Sequence, residues 1–104
     1  MKKITLTCAH AIVKYLISQK ILINGKKEPL FPGVFGIFGH GNVACLGQAL
    51  EENQKDLPTF RGHHEQNMAL TGIAYARAKR RQQIFVATSS VGPGATNMVT
   101  AAAV

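Results

Sequence analysis

Tryptophan is absent, cysteine occurs twice and acidic residues number only five in this chain of 104 residues. Each shortage excludes something. Lone Cys8 and Cys45, far apart in the chain, build neither a disulfide framework nor a metal-ligand spacing, which fits a reducing cytoplasm. No apolar run approaches the ~20 residues that cross a bilayer. Met1-Lys2-Lys3-Ile4 leads into a polar-punctuated segment, not the apolar core of a signal peptide. Hydrophobic residues make up 46% and charged ones 16%, a poor composition for disorder. A chain of this length buries about two-thirds of its unfolded surface, enough for one core. One small soluble domain is the expectation.

Lysine and arginine total 12, leaving a net charge of +7. Such a surplus suits nucleic acid or anionic ligands, yet Lys2, Lys3, Lys14, Lys20, Lys26, Lys27, Lys55 and Arg61 are scattered. Arg77, Lys79, Arg80 and Arg81 form the one cluster. They fall at the end of an expected helix, where cations complement the helix dipole. No aromatics are interleaved with them, so neither nucleic acid nor membrane is expected as a partner. Ala101-Ala102-Ala103-Val104 ends the sequence on an apolar run and reads as an element cut short.

Thr5 or Thr7 can cap a helix reaching about Gln19, with Cys8, Ile12, Tyr15 and Leu16 on one side. Ile21-Leu22-Ile23 followed by Asn24-Gly25 reads as a hairpin, because a type I′ turn needs two residues at positive φ. Gly33 to Phe38 is a continuous apolar run of strand length, the pattern of a parallel strand covered on both faces. A turn, Gly39-His40-Gly41, follows, then a helix from Val43 to Glu52 with Leu46 and Leu50 inward. Leu57 to Arg61 is a weaker strand. His64 to Arg81 is a helix with Met68, Ala69, Ile73 and Ala76 inward. Gln83 to Thr88 is a third buried strand, and a last helix opens near Ala95. Strands alternating with helices imply an α/β domain, a three-layer α/β/α arrangement around a parallel sheet.

Ligands of such sheets sit beyond the carboxyl ends of the strands. Three segments meet there: Phe38 to Asn42, Arg61 to Gln66, and Ser90 to Asn97. Gly39-His40-Gly41-Asn42-Val43-Ala44 fits the dinucleotide fingerprint, and Glu65 follows at close to the ~20-residue spacing of a ribose-binding acid. A ribose acid should end the second strand, however, whereas Glu65 opens the next helix. A stand-alone dinucleotide module using Gly39 and Gly41 is therefore the weaker alternative. His40, His63 and His64 lack zinc-ligand spacing, and Ser89-Ser90 is not a nucleophile elbow. Glu65 is the acid of interest. As an ordinary first-turn glutamate it would only complement the dipole. Partly buried among His, Gln and Asn, it would suit proton exchange near neutral pH.

The triplet His64-Glu65-Gln66, placed after a strand that ends in an aromatic-Gly turn, resembles the pyrimidine-binding domain of thiamine diphosphate enzymes. So does the run Ala87 to Asn97, which contains Gly92-Pro93-Gly94-Ala95-Thr96-Asn97. Acetohydroxyacid synthase and its relatives carry both signatures. Phe35 to Leu50, the hairpin and the Ser-Ser-Val-Gly-Pro-Gly form narrow the resemblance to ring-opening members of the superfamily. These hydrolyse a carbon–carbon bond of a cyclic trihydroxy diketone to give 5-deoxy-glucuronate in myo-inositol degradation. A different enzyme of the acetohydroxyacid synthase type is the other reading within the superfamily.

The resemblance implies roles. Glu65 corresponds to the family glutamate that hydrogen-bonds N1′ of the cofactor aminopyrimidine and promotes its imino form, the group that takes the thiazolium C2 proton. Phe38, Gly39 and His40 match the turn beside the pyrimidine, with Phe38 where relatives often have proline. Pro93 and Asn97 match positions lining the pyrimidine end, and His40 is placed to reach the substrate. The family holds diphosphate and Mg2+ with a Gly-Asp-Gly motif in a separate domain, whereas Asp56 is the sole aspartate here. Residues 1–104 thus read as one partial pyrimidine-binding domain, inactive alone. The family's cofactor lies between subunits, so a homo-oligomer is expected.

Overall fold

A computed structural model of the chain describes residues 2–104. Helix α1 spans Cys8–Ser18. Its cap is Thr7, whose Oγ1 accepts from the His10 backbone N–H at 3.1 Å, satisfying one of the unpaired donors of the first turn. Val13 is fully buried, and Ala9, Leu16 and Ile17 pack beside it. Cys8, Ile12 and Tyr15, grouped with Leu16 in the sequence, lie exposed. The helix turns its Val13 side inward because Ala49 and Leu50 of a later helix join Val13 in the core.

Strands β1 (Lys20–Ile23) and β2 (Lys26–Pro29) form the expected hairpin. Asn24 and Gly25 take φ values of 52° and 81°, the paired left-handed conformation of a type I′ turn. The hairpin stands outside the main sheet. Buried Gln83 anchors it by donating to the Pro29 carbonyl at 2.9 Å.

The main sheet contains β3 (Val34–Gly36), β4 (Thr59–Arg61) and β5 (Val86–Thr88) in the order β4-β3-β5. Both pairings are parallel, with Val34 opposite Thr59 on one side and Val86 on the other. Side chains alternate across the sheet as the pleat requires. Val34 joins Val13, Ala49, Leu50 and Leu57 in a core on one face. Phe35 turns to the other face and stacks on Phe85 with centroids 4.6 Å apart. Tyr75 meets the same Phe85 ring edge-on at 4.7 Å.

The segment after β3 departs from the sequence reading. Gly39–Ala44 is a short helix, α2, and Leu46–Glu52 a second one, α3, with the break at Cys45. Gly39 to Gly41 is therefore the first turn of a helix, and Val43 to Glu52 is not continuous. The break folds α2 back over α3. A Cβ on Gly47 would fall 3.3 Å from the Asn42 carbonyl oxygen and 3.6 Å from Phe38 Cγ, so a larger residue would press the two helices apart by a few tenths of an ångström.

Helix α4 covers Glu65–Ala78, with His64 as its cap, and α5 covers Pro93–Ala102. Met68 is buried, whereas Ala69, Ile73 and Ala76 are half-buried and line an apolar groove of about 440 Å³ shared with β5 and α5. The helix ends at Ala78 instead of Arg81, because Arg80 and Arg81 adopt φ values of 53° and 62°. There the Arg81 N–H reaches back to the Ala76 carbonyl at 2.7 Å, closing the helix with arginines where glycine is usual. Helices α1 and α3 thus cover one face of the sheet and α4 with α5 the other, giving the expected three layers. Among the described residues no helix is long and apolar enough to cross a membrane.

Candidate functional site

Three chain segments leave the carboxyl ends of adjacent parallel strands and converge there. The Gly62 N–H donates to the Gly36 carbonyl at 3.2 Å and the Ile37 N–H to the Thr88 carbonyl at 3.1 Å, carrying the ladder to the rim. The segments beyond are tied together as well, since Asn42 Nδ2 donates to the Ser89 carbonyl at 3.1 Å. The α2 turn and the β5–α5 loop are therefore one unit.

Glu65 opens α4 directly beyond β4 and is half-buried. Its carboxylate lies over the first turn of α5: a Cβ placed on Gly94 would fall 2.6 Å from Glu65 Oε2 and 2.6 Å from Ser90 Oγ. Glycine at 94 makes the space in which the carboxylate rests. On its other side Ser90 meets the α2 turn, because a Cβ on Gly39 would sit 2.7 Å from Ser90 Cβ. Gly39 also holds φ at 71°, a conformation that costs any other residue about 1 kcal/mol or more. Ser90, quoted in the sequence only as part of a motif, is the side chain between the glycine turn and the glutamate.

Phe38, Gly39 and His40 line a cleft of about 290 Å³ with Asn42, Ser90 and Val91. His40 is exposed, as are His63 and His64. Glu65, Pro93 and Asn97 do not line this cleft; Glu65 stands behind Ser90, Pro93 is exposed and Asn97 half-buried in α5. The dinucleotide reading fails on geometry. The helix behind Gly39 is a six-residue piece broken at Cys45, and Glu65 belongs to α4 instead of ending β4.

Residues 30–104 match the family model described as thiamine pyrophosphate enzyme, N-terminal TPP binding domain. The chain belongs to that family. Its members can be compared directly. A 3D-(3,5/4)-trihydroxycyclohexane-1,2-dione hydrolase from Geobacillus thermodenitrificans (strain NG80-2) is 54% identical over 103 residues, 99% of this chain and 16% of the relative. Proteins of the same name from Clostridium tetani (strain Massachusetts / E88) and Bacillus thuringiensis (strain Al Hakam) are 50% and 48% identical over the same coverage. The chain therefore spans about one-sixth of the length of these relatives. No solved structure matches the chain.

The pyrimidine end of thiamine pyrophosphate suits what this family member presents: an aromatic side chain, an exposed backbone turn and a half-buried carboxylate cradled by a glycine. The diphosphate end has no comparable donor set in these residues. Asp56 lies exposed just before β4, at the amino end of the sheet. Among the described residues no three His, Cys, Asp or Glu side chains gather where they would hold a metal ion.

Proposed function

We propose that this thiamine pyrophosphate enzyme domain forms the pyrimidine side of the cofactor site in a cytoplasmic ring-opening hydrolase acting on 3D-(3,5/4)-trihydroxycyclohexane-1,2-dione. The observation that carries the reading is the position of Glu65, half-buried at the carboxyl end of a parallel sheet with Oε2 over Gly94. Identities of 48–54% to hydrolases of that name favour it over an acetohydroxyacid synthase type of enzyme.

When bound, thiamine diphosphate supplies the carbanion chemistry at its thiazolium C2. The chain's own residues prepare that event. The Glu65 carboxyl would hydrogen-bond N1′ of the aminopyrimidine, a positioned acid–base role. Phe38 and Gly39, which line the cleft, would hold the pyrimidine, with Gly39 letting backbone approach it closely. Pro93 and Asn97 stand outside the cleft on α5 and would meet the pyrimidine only from that side. His40, exposed on the cleft, would hydrogen-bond a hydroxyl of the substrate. Diphosphate and Mg2+ are held by residues outside these 104, so the isolated chain has half a site: it binds cofactor weakly and does not turn over.

The test joins residues 1–104 to the remainder of the Geobacillus thermodenitrificans relative and follows ring opening. Turnover by this chimaera is expected, and Glu65→Gln should lower it by about 10²- to 10⁴-fold. Undiminished turnover in the variant overturns the role of Glu65, and a chimaera that folds yet ignores the diketone overturns the substrate.

A further inference from the structure

Cys8 and Cys45 are remote in the chain, yet the fold brings them to one place. Cys8, Ala9 and His10 at the start of α1 and Ala44, Cys45 and Gln48 around the α2–α3 break line a single cleft of about 310 Å³. Both thiols are free and exposed. An alanine accompanies each cysteine on the cleft wall, Ala9 for one and Ala44 for the other, so the side chains beside the thiols are small. His10 is engaged on both ring nitrogens, with Nδ1 2.8 Å from Thr7 Oγ1 and Nε2 2.6 Å from Glu52 Oε2. That contact ties α1 to α3 and fixes the two walls of the cleft relative to each other. Cys45 itself has left the helical conformation, at φ −105° and ψ −81°.

We propose that Cys8 and Cys45 form a reversible dithiol–disulfide pair that closes in response to hydrogen peroxide. One thiol sulfur attacks a peroxide oxygen; the O–O bond breaks, one water leaves and a sulfenic acid remains. The other thiol sulfur attacks the sulfenic sulfur; the S–O bond breaks, a second water leaves and the S–S bond forms. The two thiols lose two electrons and two protons, and the peroxide takes up both as it becomes two waters. A small-molecule thiol reopens the pair by exchange. Closure links the start of α1 to the end of α2, the helix whose first turn lines the candidate cofactor cleft.

The folded 104-residue chain is treated with hydrogen peroxide, remaining thiols are trapped with a maleimide, and intact mass and peptide map are read. The expected product is a monomer lighter by about 2 Da, for two hydrogens lost, carrying no maleimide and with the Cys8 and Cys45 peptides joined. Dithiothreitol should restore both thiols. Cys8→Ser and Cys45→Ser should each abolish that product and leave oxygen on the remaining sulfur. Closure should also slow when the chain is unfolded in urea. Two separately oxidised cysteines in the parent chain, disulfide-linked dimers as the main product, or closure equally fast in urea would overturn the proposal.

Discussion

A carboxylate at a strand-to-helix junction ordinarily swings into water; Glu65 stays over the first turn of α5 because residue 94 has no side chain. Replacing Gly94 with alanine is thus a direct probe of position. The added methyl would occupy a point 2.6 Å from both Glu65 Oε2 and Ser90 Oγ, so one or both must move. The expected cost is about 1–3 kcal/mol of stability from overpacking, read from a urea transition. Ring opening by the chimaera should fall much further than that loss of folded protein explains. A Gly94→Ala protein with full turnover would mean that the observed carboxylate position is irrelevant to the chemistry. Glu65 was legible at this scale because it stood out among five acids by its neighbours His64 and Gln66. Ser90 was not, because its importance comes from touching two turns that are distant in sequence.

Among the elements, the contact between α1 and α3 carries a charge worth titrating. His10 Nε2 donates to Glu52 Oε2, and Gln48 Nε2 donates to the other carboxylate oxygen at 3.3 Å. The His10 hydrogen bond, and then that from Gln48, holds the Glu52 carboxyl below its ordinary value of 4.5. A lowered folded-state value means that the ionised form stabilises the fold above the unfolded value. That contribution disappears as pH falls through the folded value. Glu52→Gln should therefore melt below the parent chain at about pH 6, and the gap should narrow as pH falls below 4.5 through the lower folded-state value. An equal gap across that range would assign the contact no electrostatic part. The effect is small, since the pair is exposed and screened by solvent. Elements with a chemical signal were the readable ones: Thr7, one of two expected caps, and the Asn24-Gly25 turn lie where the residues put them, and each of the three expected strands forms as a shorter, three-residue piece. The inward face of α1 and the break at Cys45 depend on Ala49, Leu50 and Gly47, partners on another element, and periodicity within one segment carries no word of them.

Taken whole, the molecule is a three-stranded parallel sheet with β3 in the middle and β4 and β5 at its edges. Phe60 on β4 is 50% exposed, and an apolar groove runs between α4 and α5. An unpaired edge beside apolar surface favours association, and light scattering of the 104-residue chain should report a mass that grows with concentration. A monomer throughout would show that these surfaces are tolerated bare. Layer order followed from the alternation of strands and helices, whereas strand order and the shared cleft of Cys8 and Cys45 are properties of the folded chain alone. The central claim concerns the glutamate at the rim of that sheet, and it is tested most directly without substrate. Exchange of the C2 proton of thiamine diphosphate with deuterium oxide, followed by NMR after acid quench, compares the chimaera carrying Glu65 with its Glu65→Gln form. A slowing of about 10²-fold or more in the variant is the expected result; exchange at the same rate in both, with cofactor bound, would contradict the role given to Glu65.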